Sequence, residues 1–269
     1  MDATTHPSAR LPEPRRSVEV SADRWCCCVE HQSFPFQPML RKIIGPFREF
    51  GPAAGLLYVI DRVLSSLSPA LHLYVYDLMV QPIVDKPLLS RSFKKPLEIR
   101  EIKAGDPEIA LMPVRADVMR ARLAQRATCL GAFRNGAFIG YMWFCNPTYE
   151  EDEVRCTYVL GSADESVFDF DFYIFPEHRM GLGFVSLWNG ANEFLNRQNI
   201  RYTFSRLTRF NVASRRAHQH LGWKVVGRTI FLKAWHFQIM LATLFPFVHI
   251  SITKTGRVHL TLQPNALKV

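Results

Sequence analysis

The stretch FDFDFYIFPEHRMGLGFVSLWNGANEFL, residues 168–195, passes from one backbone period to another within a few residues. Phe168 to Phe175 alternates and is dense in aromatic side chains, which suits a strand. Pro176 ends that pattern, and Phe184, Leu187, Trp188, Ala191 and Leu195 then fall on one face of a helix. Between the two lies Pro-Glu-His-Arg-Met-Gly-Leu-Gly, residues 176–183. Gly181 and Gly183 permit close approach of a ligand to the backbone, and the first-turn amides of the helix have no intrahelical acceptor. Such a helix start favours an anion, a diphosphate for example, each exposed dipole interaction contributing about 0.3 to 1 kcal/mol. Alone, a G-x-G before a helix is a weak signal.

Downstream, Tyr202 to Leu207 reads as a strand and Val212 to Leu221 as a helix, opened by Asn211 as N-cap and closed by Gly222. Lys224 to Leu232 is another strand. An apolar run from Phe237 to Ile252, broken by Pro246 and His249, precedes a final strand at Val258 to Leu262. Upstream, Leu97, Ile99 and Ile102 mark a strand and residues 107–126 a helix, while Thr128 to Phe133 and Phe138 to Phe144 form a hairpin turning at Asn135-Gly136. An acidic loop, Glu150 to Glu153, leads to a strand at Val154 to Leu160. The order predicts a mixed α/β (α+β) domain over residues 97–269, with a C-terminal extension.

A second element gives the first its meaning: Asn211-Val-Ala-Ser214-Arg-Arg-Ala-His218-Gln-His-Leu221-Gly222-Trp223. The chain resembles the GNAT superfamily, which shows Q/R-x-x-G-x-G/A at the end of its fourth strand and, after the fifth, an Asn-initiated helix ending in Leu-Gly-Phe or Leu-Gly-Trp. Both occur here in that order, separated by one helix and one strand, and the resemblance covers about residues 97–235. It implies a GNAT-like fold, a mostly antiparallel twisted sheet flanked by helices, and an acyl-CoA-dependent N-acyltransferase. Acetyl-CoA, or another acyl-CoA, would be the co-substrate, with no metal.

On that resemblance the amides of Gly181, Leu182 and Gly183, with His178, Arg179, Met180 and Phe184 around them, cradle the CoA pyrophosphate, and Arg179 is an added cation. His178 stands where the family has Gln or Arg, so backbone amides carry most of the binding. The thioester is implied to lie along Tyr173, Ile174 and Phe175. Asn211 reads first as a helix cap, and Ser214, one turn on, can touch CoA.

An amine attacks the thioester directly in a ternary complex, which needs a base for the ammonium proton and an acid for the departing thiolate. Asp169 and Asp171 alternate on one face of the strand and are the candidates for the base, against the reading that they are solvent-facing or salt-bridged carboxylates. His218 occupies the position where the family commonly has Tyr. An imidazolium of reference pKa about 6.5 would pass its proton downhill to a thiolate near about 8.5, against the reading of His218 as a partly buried helix histidine. The acidic loop either attracts a cationic acceptor or is a solvated loop.

The rest of the chain bounds the setting. Residues 1–38 mix Pro, Ser, Arg and acidic residues without a period and are expected to be a disordered tail, which makes Met39 a candidate start. Leu56, Val59, Ile60, Val63, Leu64 and Leu67 recur at helical spacing, and Pro82, Pro87 and Pro96 punctuate the stretch beyond them, so residues 39–96 are expected to be an apolar helical extension and linker. Asp61, Arg62 and Asp77 keep it short of the roughly 18 uninterrupted apolar positions of a membrane span. Residues 40–83 either pack on the following domain or make a peripheral contact with an anionic membrane, Arg41, Lys42, Arg48 and Arg62 suiting the latter.

A net charge of +9 attracts anions, but the basic residues are scattered and no reading helix or aromatic platform is evident, so nucleic acid is not an expected partner. Six cysteines show no metal-ligand spacing. No secretory pattern opens the sequence, so the expected place is the cytoplasm, or the inner face of the membrane if the surface contact holds. Expected partners are a small-molecule or lipid-linked amine acceptor and a second copy of the chain in a homodimer. Two rival functions are carried: a longer-chain acyltransferase acting on a lipid-linked acceptor at a membrane surface, and a CoA-binding protein without catalysis.

Overall fold

The computed structural model describes residues 39–88, 97–179 and 183–267. The expected tail 1–38 lies outside them, as do Met180, Gly181 and Leu182. Two helices open the described chain, α1 (Met39–Phe50) and α2 (Pro52–Leu67). They turn at Gly51, whose φ of 81° suits glycine, and cross closely at Gly55, where a Cβ would stand 2.8 Å from Phe47 Cα.

The helical extension then ends, earlier than expected, and residues Leu71–Pro82 form strand β1. Tyr74 and Tyr76 alternate with Leu73 and Val75, and Leu78, Met79 and Val80 are all buried. A central strand covered on both faces reads as a continuous apolar run, which periodicity cannot tell from a buried helix. β2 (Glu98–Ile102) follows, then α3 (Glu108–Leu111) and α4 (Ala116–Ala124). These replace the single helix expected over 107–126, because Pro113 holds Met112 extended and cannot donate to the preceding turn.

β3 (Thr128–Arg134) and β4 (Ala137–Cys145) make the expected hairpin, with Asn135 and Gly136 both at positive φ, 53° and 80°. β5 (Thr148–Glu150), β6 (Cys156–Leu160) and β7 (Ser166–Ile174) lead to α5 (Gly183–Asn196), β8 (Tyr202–Thr208) and α6 (Val212–Gln219). The chain closes with β9 (Lys224–Ala234), β10 (Phe237–Ala242), β11 (Val248–Ser251) and β12 (Val258–Leu262), so the apolar run at 237–252 is a hairpin.

The architecture is mixed α/β. Nine strands form one sheet in the order β11-β10-β9-β1-β8-β7-β4-β3-β2, and β12-β6-β5 form a second. Every neighbouring pair in the large sheet is antiparallel except β7 with β8. One core joins Tyr76, Leu78, Trp143, Phe168, Phe170 and Phe204 to Tyr149, Tyr158 and Leu260 of the small sheet. The other joins Val167, Phe172 and Ile174 to Leu187, Trp188, Ala191 and Leu195 of α5.

Candidate functional site

β7 and β8 run parallel through Ser166 opposite Tyr202, Val167 opposite Thr203 and Phe168 opposite Phe204, and there the pairing stops. β7 continues to Ile174 and β8 to Thr208, so their facing edges beyond that point have no strand between them. The fork opens at the carboxyl ends of two parallel strands, where α5 and α6 begin, a place where α/β proteins bind ligands. β7 keeps its other partner, β4, at the cost of a bulge: Phe170 faces Trp143 and Tyr173 faces Tyr141, so Asp171 and Phe172 share one opposing residue. Asp171 takes φ 46° there.

That bulge separates the two aspartates expected on one face. Asp171 ion-pairs with Arg122 of α4, which also holds Asp152 at 2.8 Å and lies 5.3 Å from the Phe170 ring centroid. Burial alone would lower the Arg122 guanidinium, but Asp171 and Asp152 more than offset it and hold its pKa above the usual range. Asp171 is therefore a salt-bridged carboxylate of the aromatic core. Asp169 stands instead beside Thr203 and Ser205 of β8, with 5% of its surface exposed. Burial raises its pKa to about 7, and the two neighbouring hydroxyls offset part of that rise, the Thr203 contact falling short of a full hydrogen bond. A carboxyl so placed exchanges a proton near neutrality.

His218 lies on the same side of the sheet, 3% exposed, edge-on to Phe184 and Trp188 at 5.4 and 5.5 Å between ring centroids. Burial lowers its pKa to about 4. That value favours a neutral imidazole at neutral pH, in contrast to the imidazolium donor expected from the sequence. Its Nδ1 is 3.3 Å from Gln81 Oε1, an oxygen that only accepts, so the ring proton sits on Nδ1. Gln81 pairs with Thr203 across β1 and β8, which puts His218, Gln81, Thr203 and Asp169 in one buried polar group. Gln81 and Thr203 escaped the sequence reading. The alternation Thr203-x-Ser205 on a strand was the available signal.

Asn211 caps α6, its side-chain oxygen accepting from the Ser214 amide at 2.9 Å. Ser214 is buried. Beside this helix start Asp77 of β1, fully buried, faces three guanidiniums, Arg228 at 3.2 Å, Arg215 at 3.3 Å and Arg209 at 3.8 Å. One carboxylate among three cations leaves a positive field at the end of β8. In the sequence Asp77 was only an interruption of an apolar run.

At the end of β7, the Phe175 amide donates to the Ile139 carbonyl at 3.0 Å, and a single 3₁₀ turn covers Pro176–His178. Arg179 was expected to reach out as an added cation. It folds back: its Nε donates to the Ile174 carbonyl at 3.0 Å and its guanidinium lies 5.5 Å from the Tyr173 ring centroid. Tyr173 stacks on Tyr141, and Ile174 is buried against α5. Gly183 begins α5, and a Cβ there would stand 3.3 Å from the His178 carbonyl oxygen. Phe184 packs on Phe172, ring centroids 4.9 Å apart. The expected amide donors at Met180, Gly181 and Leu182 lie outside the described residues.

The acidic loop is not a solvated loop. Glu151 is buried and takes two bonds from Arg206, 2.7 and 2.6 Å. Glu153 bonds the same guanidinium at 2.7 Å and accepts from the Tyr76 hydroxyl, also 2.7 Å. Among the described residues no group of three or more His, Cys, Asp or Glu could hold a metal, and no helix is long and apolar enough to cross a membrane.

No protein-family model and no curated protein matches the sequence. Solved structures similar to the chain include a tandem GNAT protein from the clavulanic acid biosynthesis pathway, 15% identical, covering 64% of this chain and 57% of that one with a TM-score of 0.43. Another is a functionally unknown conserved protein from Staphylococcus epidermidis, 14% identical over 63% and 64% of the two chains, TM-score 0.41. A third, described as an acetyltransferase from the GNAT family of Novosphingobium aromaticivorans, is 15% identical over 60% and 66%, TM-score 0.38. The chain spans 57%, 64% and 66% of the lengths of these three proteins. Likenesses this distant carry no weight for the chemistry, which rests on the chain's own geometry.

Proposed function

We propose that the chain is an acyltransferase of the GNAT type, moving an acyl group, acetyl in the first instance, from acyl-CoA to the amine of a small-molecule or lipid-linked acceptor. The supporting observation is the fork: two parallel strands that separate after three pairs, with Asp169, raised to about 7, as the first residue past the last pair. In this reading the thioester lies along the open edge of β7. The start of α5 at Gly183, close under the His178 carbonyl, receives the diphosphate, and the positive field of Arg209 and Arg215 at the start of α6 favours the same polyanion.

The acceptor ammonium first gives one proton to water, the amine nitrogen so freed bonds to the thioester carbonyl carbon, the carbon–sulfur bond breaks, and the proton that the nitrogen sheds after attack passes to the thiolate. Asp169 can serve both ends of that transfer. A carboxylate whose pKa is near 7 accepts from the nitrogen, cationic once it has bonded to the carbonyl carbon, and, once protonated, donates downhill to a thiolate whose conjugate acid is near about 8.5. The depressed His218 supports the rival reading of a CoA-binding protein without catalysis, since the expected second acid is missing. Titration calorimetry with acetyl-CoA and longer acyl-CoAs, paired with thiol release over an amine panel, separates the cases. Micromolar binding with thiol release is the expected result, binding without release selects the rival, and no binding to any acyl-CoA removes both.

A further inference from the structure

The start of α6 gathers polar atoms that the fold leaves unused. Ser214 is 6% exposed, and among the described residues its Oγ has no hydrogen-bond partner. The buried Nε atoms of Arg209 and Arg215 have none either. The helix cap does not consume them, since the Asn211 side-chain oxygen takes the Ser214 amide and not its hydroxyl. A buried donor without an acceptor is costly, and native proteins keep few of them. Several within residues 209–215 mark a place where an acceptor from outside the chain fits.

The charge there is unbalanced in one direction. Arg209, Arg215 and Arg228 come from the loop after β8, the first turn of α6 and β9, and all three converge on Asp77 of β1. Among the described residues no second carboxylate pairs with any of them, so Asp77 cancels one charge and two remain. Arg228 alone hydrogen-bonds Asp77; Arg209 and Arg215 meet it by charge, and Asp77 Oδ2 makes no hydrogen bond. Their side chains are 25%, 27% and 56% exposed in chain order, while Asp77 is fully buried, so the guanidiniums are open to a solute. The loop is also anchored. Phe210, between Arg209 and Asn211, packs on Phe50 of α1 and Tyr58 of α2, ring centroids 5.6 and 5.2 Å away, which lowers the ordering that binding would require.

We propose that Arg209, Ser214, Arg215 and Arg228, gathered by Asp77, form a binding site for a phosphate monoester, a dianion above its second pKa of about 6. Its charge matches the two that Asp77 leaves over, and guanidinium forks with a hydroxyl are donors well suited to phosphate oxygens. A carboxylate ligand would leave one charge unmatched. A nucleic acid backbone, a line of monoanions, does not suit cations gathered at one point. The site is separate from the diphosphate position at α5: it lies over β8, β1 and β9, whereas α5 follows β7. The observations do not need the acyl-CoA reading, and two sources share the chemistry, the ribose 3′-phosphate of a CoA donor and a phosphate carried by another molecule.

The test is thermal melting and titration calorimetry of the full chain with inorganic phosphate, against chloride at equal ionic strength, at about pH 8. Phosphate should raise Tm beyond chloride in the wild type, and Arg215→Gln or Arg228→Gln should weaken phosphate binding about ten-fold or more. Calorimetry with CoA and 3′-dephospho-CoA then identifies the source. CoA binding about ten-fold or more tighter, with the gap closed in Arg228→Gln, assigns the phosphate to the donor. Equal affinities beside a phosphate response assign it to another molecule. If neither form of CoA binds, the acyl-CoA reading fails and the phosphate response alone decides the site. No phosphate response with equal CoA affinities overturns the proposal and leaves the acyltransferase reading standing. A phosphate response or a CoA gap that persists undiminished in both arginine variants overturns it as well.

Discussion

Phe168 of β7 and Phe204 of β8 are the last partners of the parallel pair, and both are fully buried in the aromatic core. Asp169 is thus anchored by its predecessor at the point where the two strands part. It can neither retreat into the sheet ladder nor swing to solvent, and its acid–base behaviour follows from that position.

Asp169→Asn should lower kcat/KM by about a hundred-fold or more, the usual range for loss of a positioned general base. In the wild-type protein kcat/KM should rise with pH and level off above about 7, where the carboxylate form predominates. Thiol release measured from about pH 5 to about 9 checks both. A profile shared by wild type and variant would take the base role from Asp169.

The same carboxyl ties stability to pH. Between its ordinary value near 3.8 and its raised value near 7, the folded chain keeps a proton that the unfolded chain has lost. Stability therefore falls as pH rises through that window, by up to about 4 kcal/mol once both states are ionised. Urea midpoints at about pH 5 and about pH 8, compared between wild type and Asp169→Asn, should show this decline only in the wild type.

His218 acts with the opposite sign. Its folded value near 4 lies below the ordinary 6.5, so the contribution is fully present above pH 6.5 and is lost as pH falls towards 4. His218→Phe should keep turnover at neutral pH within a few-fold, flatten the acid limb of the stability profile, and cost about 1 to 3 kcal/mol by leaving Gln81 Oε1 without its donor. A loss of turnover as large as that of Asp169→Asn would restore His218 to the chemistry.

Arg122→Met should be severe. It strands Asp171 and Asp152 beside a buried aromatic surface, and removing one partner of a buried ion pair typically costs about 3 to 5 kcal/mol. Adding Asp171→Asn should recover part of the loss, by equilibrium unfolding in urea; strict additivity of the two changes would deny their coupling.

The alternation of residues 168–175, the helical stripe after Gly183 and the Asn-Gly turn at 135–136 identified their elements from sequence, because side-chain period and turn chemistry are local properties. The Asn211 cap was local in the same way. β1 was not, since a strand buried on both faces carries no period to read and its neighbours, β8 and β9, lie more than a hundred residues away in the chain.

Protonation and facing were decided by the tertiary structure alone. The residues named Asp169, Asp171 and His218 as the groups able to move a proton, but a bulge turned Asp171 to Arg122, and burial set Asp169 near 7 and His218 near 4. Which residue types a chain carries is written in its order; the dielectric and the charges that surround each one come from distant segments, and exist only once those segments have packed.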